Sequence, residues 1–246
     1  MGVFTRSRAG SILGGIAVVG VSAVFLAGCA GDSGGGSGTT EPGESLDLKI
    51  GTALPVTGNL AFLGPPEIAG TEYAASEVNA ANAGVTIEMI QGDSGDTDNK
   101  AYETEIPRLL GEGVSAIIGA ASSGTSLQFI DQVVGAGVIQ FSPANTSAAF
   151  TTYDDNGLYF RTAPSDTLQG EVLGNLIAES GAQTLGMIVL NDSYGTGLAS
   201  FVKDAFEAAG GTVVAEPTYN TGDTNFSAQV SEVVAANPDA IALITN

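Results

Sequence analysis

The chain has 246 residues, of which 43% are hydrophobic and only 14% are charged, a balance that permits a sizeable folded core. With 7 basic and 27 acidic residues its formal net charge is −20, which argues against a nucleic-acid partner because phosphate contacts need clustered Lys and Arg. The sequence contains no histidine, so it lacks the commonest general base and the commonest metal ligand.

The first 45 residues are predicted to export and tether the protein. Arg6 and Arg8 precede an apolar run at 12–26, so residues 1–28 are typical of a signal peptide. Leu-Ala-Gly-Cys at 26–29 resembles the bacterial lipobox, which predicts cleavage before Cys29 and lipid attachment to its sulfur. Residues 29–45 are rich in Gly, Ser and Thr and are predicted to be a flexible tether. The alternative is a retained transmembrane helix, for which the apolar run is short.

From residue 46 onward, short apolar runs alternate with helix-length segments. This alternation predicts βαβ units, and hence a parallel sheet with helices on both faces and right-handed crossovers. Strands are expected at 48–54, 86–90, 116–118 and 138–141, and helices at 66–82, 100–110 and 126–134. These elements form the first predicted lobe, residues 46–161.

A polar segment at 150–165, rich in Thr, Asp, Asn and Pro, interrupts the pattern before the alternation restarts. Helices are expected at 167–179, 194–209 and 225–236, and strands at 185–190, 212–215 and 240–244. The predicted fold class is therefore α/β, with two Rossmann-like lobes and a second lobe at 162–246. We expect the last strand to be central, and a sheet that stopped there would leave an unprotected edge. The second lobe is therefore predicted to be incomplete.

Two turns follow adjacent predicted strands of the first lobe and are rich in small hydroxyl residues. One spans residues 119–125 and the other residues 142–146. Ligands of open parallel sheets bind outside the carboxyl ends of the strands, and the helix that follows the first turn adds a positive dipole. The two turns therefore predict a pocket for a carboxylate, and the pocket contains no obvious catalyst.

Five short motifs occur in a characteristic order along the body. They are Leu-Pro-Val-Thr-Gly at 54–58, Ile-Gly-Ala-Ala-Ser-Ser-Gly-Thr at 118–125, Ser-Pro-Ala-Asn-Thr at 142–146, Tyr-Phe-Arg-Thr at 159–162 and Asn-Asp-Ser-Tyr-Gly-Thr-Gly at 191–197. In this order they resemble the leucine/isoleucine/valine-binding proteins, type I periplasmic binding proteins of branched-chain amino acid ABC importers. The resemblance covers residues 48–246, and complete members of that family are longer.

The resemblance implies a ligand site on the two turns. Ser122 matches the serine that holds the ligand carboxylate, with Ser123 beside it, and Thr146 matches the threonine that offers its backbone N–H and hydroxyl. The carbonyl of Ala144 matches an acceptor for the ligand ammonium, and Tyr194 matches an aromatic residue that the second lobe contributes on closure.

Two features of the implied site leave the ligand open. Leu63 falls where the family usually has an aromatic residue in the side-chain pocket, and the acidic residue that pairs with the ammonium is expected beyond Asn246. Each residue also has a simpler interpretation. A Ser or Thr at a strand end is commonly a helix cap, and Tyr194 could be a core aromatic.

Other chemistries are poorly supported by the motifs. Gly195-Thr-Gly197 follows a strand, but Ser200 stands where a dinucleotide fingerprint needs a third glycine. Asp93, Asp96 and Asp98 crowd one loop without the spacing of a calcium site. A Ser-His hydrolase lacks its histidine. We therefore predict a protein that is not an enzyme and that needs no cofactor or metal.

The predicted function is capture of a branched-chain or related small amino acid or amide for an ABC permease. The protein is expected on the outer face of the cytoplasmic membrane, held there through lipid on Cys29. Three alternatives remain at this stage: a ligand sensor of the same fold, a nicotinamide-dependent dehydrogenase and a purely structural lipoprotein.

Overall fold

The computed structural model describes residues 45–246. The predicted signal peptide, Cys29 and nearly all of the predicted tether lie outside these residues. Between residues 45 and 246 no helix combines the length and the apolar character that crossing a membrane requires.

The first sheet has five parallel strands in the order β2-β1-β3-β4-β5. The strands are β1 (Leu46–Leu54), β2 (Val85–Asp93), β3 (Ala116–Gly119), β4 (Ile139–Ser142) and β5 (Tyr159–Arg161). Three helices connect them, α1 (Gly64–Ala80), α2 (Tyr102–Gly111) and α3 (Ser123–Gly135), and a 3₁₀ helix covers Ala148–Thr152. The strand order reverses beside β1, which opens a crevice at the carboxyl ends of β1 and β3.

A buried apolar cluster fixes α2 and α3 against this sheet. Ile106 and Leu109 of α2 meet Phe129 and Val133 of α3 over Ile117 of β3. Burying each such side chain contributes about 1.5–3 kcal/mol, so this cluster holds the first turn of α3 in place at the sheet edge.

The second sheet is built around β6 (Thr184–Leu190) and is also parallel. β7 (Thr212–Ala215) and β8 (Thr218–Tyr219) pair with successive parts of one edge of β6, and β9 (Ala240–Ile244) pairs with the other edge. The helices are α4 (Asp166–Glu179), α5 (Gly195–Ala208) and α6 (Ser227–Ala236).

The helices α4 and α5 pack closely because α4 presents two glycines to α5. A Cβ added to Gly170 would collide with Cβ of Phe201, and one added to Gly174 would lie 2.6 Å from the carbonyl oxygen of Val202. Such separations are too short for any side chain, so the glycines set the distance between the two helices.

The predicted α/β class with two parallel sheets is confirmed. The segment at 150–165, predicted as a break, also contains β5, a strand of three residues that is too short to show a sequence period. Within the described residues β9 is an edge strand of the second sheet, and its central place in a complete lobe stays a prediction. β5 ends at Arg161 and α4 begins at Asp166, so residues 162–165 link the two sheets.

Candidate functional site

The two hydroxyl-rich turns leave neighbouring strands on the same side of the first sheet. β3 and β4 are parallel, with Ile118 opposite Phe141, so their carboxyl ends lie side by side. The first turn leads directly into α3, whose N-terminus points at the same edge. The sequence thus brings hydroxyl groups and a helix N-terminus together through strand pairing alone.

Buried side chains join the two turns into one unit. The Ser142 hydroxyl donates to the Ala120 carbonyl at 2.7 Å. The Asn145 amide donates to the carbonyls of Ala120 at 3.1 Å and Ala121 at 2.8 Å, and its oxygen accepts from the Tyr159 hydroxyl at 2.9 Å. Because Ser142 and Asn145 are fully buried, each of these bonds would leave an unsatisfied group if broken.

Ser123 connects the turns a second time. Its hydroxyl oxygen accepts from the backbone amides of Thr146 and Ser147, each at 3.2 Å. The family resemblance implied that the Thr146 amide binds the ligand, but in this structure that amide donates to the Ser123 hydroxyl. Thr146 also lines the cavity between the lobes, and its hydroxyl, which lies beside the Asp166 carboxyl, is the group left to face a ligand.

Ser122 is the N-cap of α3, which is the simpler of the two interpretations of a serine at a strand end. Its backbone is extended, with φ −69° and ψ 130°, and its side-chain oxygen accepts from the Thr125 amide at 3.3 Å at the start of α3. An oxygen that accepts from the helix still carries a proton to donate. Capping and binding of a carboxylate are therefore compatible at this residue.

The segment that carries Thr146 is supported from behind by Arg161. The guanidinium donates to the Ser147 carbonyl at 2.8 Å and to the Thr151 hydroxyl at 3.0 Å, and it lies 5.9 Å from the ring centre of Phe150. These contacts give a structural reason for the Tyr-Phe-Arg-Thr motif, which sequence reasoning used only as a family marker.

The turn that carries Leu60 and Leu63 is held by the acidic loop after β2. Asp93 accepts from the amides of Val56 at 3.0 Å and Thr57 at 3.2 Å, and Asp96 accepts from the Asn59 amide at 2.9 Å. Burial opposes the charged form of each carboxyl, but the hydrogen bonds outweigh burial and lower the pKa of both. The loop therefore has a structural role in organising this turn.

The second lobe contributes the loop that starts α5. The Asp192 carboxylate accepts from the Gly195 amide at 2.7 Å, and the Tyr194 ring packs against apolar residues on both sides of the second sheet. Burial is the main cause of the raised pKa of the Tyr194 hydroxyl, and the carboxylates of Asp166 and Asp192 add to it. The Ser147 hydroxyl donates to the Ser193 carbonyl at 3.1 Å, so the two lobes touch beside the site.

All six residues predicted to bind the ligand line one cavity of about 290 Å³ between the lobes. They are Leu63, Ser122, Ser123, Ala144, Thr146 and Tyr194. Sequence reasoning missed five further lining residues, namely Leu60, Phe62, Ala121, Gln169 and Asn246. No local pattern marks Gln169, because its position depends on how the first turn of α4 meets the first lobe.

A buried acidic residue, Asp166, lies behind the cavity and was not singled out from the sequence. It is fully buried, and neither of its side-chain oxygens has a hydrogen-bond partner among residues 45–246. Its amide donates to the Thr146 carbonyl at 2.8 Å. Burial raises the pKa of its carboxyl, against the influence of the Thr146 hydroxyl and Arg161, while Asp192 raises it further. An acidic residue in a first helical turn is common, so nothing in the sequence marks Asp166 as part of a site.

Comparison with known proteins identifies the family of this chain. A family model described as periplasmic binding protein matches residues 47–246. The chain belongs to the leucine/isoleucine/valine-binding family of periplasmic binding proteins.

Two curated relatives show the level of similarity. A leucine-, isoleucine-, valine-, threonine- and alanine-binding protein of Pseudomonas aeruginosa is 31% identical over 192 residues, which are 77% of this chain and 51% of that protein. Leu/Ile/Val-binding protein homolog 8 of Brucella abortus is 31% identical over 218 residues, covering 83% of this chain and 53% of that one. The chain thus spans about half the length of the curated relatives it matches.

Solved structures agree on the fold. A Streptococcus pneumoniae branched-chain amino acid transporter substrate-binding protein in complex with isoleucine aligns with TM-score 0.70 and 28% identity over 80% of this chain and 56% of that one. A leucine-binding protein from Thermotoga maritima aligns with TM-score 0.70 and 26% identity over 80% of this chain and 55% of that one. A solute-binding protein from Rhodopseudomonas palustris in complex with benzoate, at TM-score 0.73 and 22% identity over 81% of this chain and 56% of that one, is similar in fold alone.

Proposed function

We propose that this chain is the ligand-capturing part of an extracytoplasmic solute-binding lipoprotein, which delivers a small amino acid to an ABC permease. The observation that carries the proposal is the cavity between the lobes, in which hydroxyl groups on a helix N-terminus face a second lobe that touches the first. The Pseudomonas aeruginosa relative, which is named for binding leucine, isoleucine, valine, threonine and alanine, supports the same substrate class.

The ligand carboxylate is assigned to the Ser122 side of the cavity. The Ser122 and Thr146 hydroxyls supply donors, and the N-terminus of α3 adds a partial positive charge. Among residues 45–246 neither Lys nor Arg lines the cavity, so the stabilisation of the anion is assigned to hydrogen bonds and the helix dipole. Each hydrogen bond to a charged group contributes about 1.5–3 kcal/mol.

The ligand ammonium is assigned to the Ala144 side. Ala144 lines the cavity and its carbonyl would accept from the ammonium, and Asp166, whose amide donates to the Thr146 carbonyl, lies behind Thr146. Asp166 would repel a ligand that carried only a carboxylate, and it would favour one that also carried a positive charge. A zwitterionic amino acid therefore suits the site better than a simple organic acid.

Capture is proposed to occur by hinge closure. The first lobe holds its donors rigidly through Asn145 and Ser123, so the ligand docks there first. The second lobe then closes about residues 162–165 and brings Tyr194 and Gln169 over the ligand. Closure excludes water, which strengthens the hydrogen bonds to the ligand.

The test is substitution of Ser122 with a matched control. A thermal-shift scan of the full chain against the common amino acids, short amides and urea selects the ligand, and calorimetric titration then measures its affinity. We expect Ser122→Ala to weaken binding about five- to 150-fold, or about 1–3 kcal/mol.

Asn225→Ala is the control, because the Asn225 side chain accepts from the Ser227 amide at 3.0 Å at the start of α6 and does not line the cavity. We expect each variant to lose about 1 kcal/mol of stability, and only Ser122→Ala to lose affinity. An unchanged affinity in Ser122→Ala, or equal losses in both variants, would contradict the assignment.

A further inference from the structure

A second, more polar cavity adjoins the proposed ligand site. Its volume is about 160 Å³, and Leu60, Phe62 and Asn246 line both cavities, so these residues form the wall between them. The side chain of Phe62 is 67% exposed, so little packing holds it in place. A ligand that displaced this ring would extend from the first cavity into the second.

The second cavity offers mainly oxygen acceptors. The backbone amide and the side-chain nitrogen of Asn59 both donate to Asp96, at 2.9 and 3.0 Å, which leaves the Asn59 side-chain oxygen as an acceptor. Thr221 lines the cavity, and its hydroxyl makes no hydrogen bond to another described residue. The Tyr219 hydroxyl donates to the Ile244 carbonyl at 3.4 Å, so the Tyr219 oxygen can still accept a hydrogen bond.

The charge around this cavity is negative. The Asp98 carboxylate lies 3.6 Å from the position that a Cβ on Gly222 would occupy, and Gly222 lines the cavity. Neither cavity, as the described residues define it, is lined by Lys or Arg. A side chain ending in a carboxylate would find no cationic partner there, whereas one ending in N–H groups would find several acceptors.

We propose that the second cavity receives the end of the ligand side chain, and that the substrate is an amino acid whose long side chain ends in N–H donors. The inference rests on the proposed function and deepens it. Leu60, Phe62 and Leu63 would cover the methylene groups, and Asn59 and Thr221 would accept from the terminal amide or cation. A branched apolar side chain would instead leave those oxygens unpaired, the kind of mismatch by which sites reject analogues.

The test compares four probes on the full chain by calorimetric titration: L-glutamine, L-arginine, L-leucine and L-glutamate. We expect glutamine or arginine to bind at least about tenfold more tightly than leucine and glutamate, and the stronger of the two identifies an amide or a cation as the terminal group. Thr221→Val, which keeps the side-chain shape, should reduce that preference about two- to tenfold and leave leucine binding unchanged.

Thr212→Val is the matched control, because Thr212 lies exposed at the start of β7 and lines neither cavity. Leucine or glutamate binding as tightly as the preferred probe, or a Thr221→Val effect equal on all probes, would overturn the inference. Leucine binding that depends on Ser122 while glutamine and arginine fail to bind would overturn the inference and leave the proposed function standing. Failure of all four probes would overturn both.

Discussion

The cavity between the lobes and a groove beneath α1 differ in how their polar groups are arranged. The groove is the larger, at about 390 Å³ against about 290 Å³, and it is lined mainly by apolar side chains such as Ile50, Met89 and Phe141. Its acidic residue, Glu67, has one side-chain oxygen that is buried without a hydrogen-bond partner among the described residues. Its hydroxyls are used locally: Thr162, for example, donates to the Pro143 carbonyl at 2.9 Å.

The cavity between the lobes is smaller, but its polar groups are fixed in place. Asn145 and Ser123 bond the two turns together, and Ser122 caps α3. Groups that are already ordered lose little conformational freedom when a ligand arrives, so more of each interaction appears as affinity. The difference teaches that the order of the polar groups, rather than volume or hydrophobicity, distinguishes the proposed ligand site.

Removing the Asn145 side chain should disrupt the hydrogen bonds that fix the two turns and give the largest loss of stability among these predictions. Asn145→Ala would leave the buried Ala121 carbonyl and the Tyr159 hydroxyl without a partner, whereas the Ala120 carbonyl keeps the Ser142 hydroxyl. Since each such group costs about 1–3 kcal/mol, we expect a loss of about 2–6 kcal/mol in the free energy of unfolding, measured in denaturant. Ligand affinity should fall as well.

Asn191→Ala is the control for that loss. The Asn191 amide bonds to Asn220 at 3.0 Å on the exposed side of the second lobe. We expect the free energy of unfolding of Asn191→Ala to differ from that of the unmodified chain by no more than about 0.5 kcal/mol. Similar losses for the two variants would show that the two turns are not specially ordered.

The parts of the site that could be predicted from the sequence are those that depend on patterns of neighbouring residues. Apolar runs that stop at Ser, Thr and Gly clusters mark the ends of β3 and β4, and strand pairing then places Ser122 and Thr146 together. Their ligand roles stay predictions. Sequence reasoning missed Asp166 and Gln169, because the first turn of α4 reaches the cavity only through the orientation of one lobe on the other.

The acidic loop shows a second limit of sequence reasoning. Asp93, Asp96 and Asp98 crowd one loop in which the sequence shows no calcium-site spacing and no other role, yet the first two accept hydrogen bonds from the turn before α1. These contacts span 37 residues in sequence, so no window-based pattern reveals them. β5 was missed for a related reason, since a strand of three residues is too short to show a hydrophobic period.

Glu67 offers a test of the groove through pH. Burial raises the pKa of its carboxyl from an ordinary value of 4.5 to about 7. Between these values the folded protein binds a proton that the unfolded chain has released, so the contribution of Glu67 to stability falls as pH rises from about 4.5 to 7. Glu67→Gln should remove this dependence and stabilise the protein at pH 8 by at most about 3 kcal/mol.

Thermal unfolding at pH 4 and pH 8 measures this effect, and the two proteins should be nearly equal at pH 4. Ligand affinity should be the same in Glu67→Gln and in the unmodified chain, because Glu67 does not line the cavity between the lobes. A changed affinity would mean that the groove takes part in binding, which would contradict the contrast drawn between the groove and the cavity between the lobes.

Tyr194→Phe should have the smallest effect and tests the second lobe's share of the site. The ring packs against both apolar clusters of that lobe and is retained in Phe, so stability should change little. Loss of one neutral hydrogen bond should weaken binding about two- to tenfold, less than in Ser122→Ala. If Tyr194 meets the ligand only after closure, as proposed, stopped-flow measurements should show faster dissociation and unchanged association. A slower association would instead place Tyr194 in the first encounter, and the second lobe would share the docking role assigned to the ordered turns.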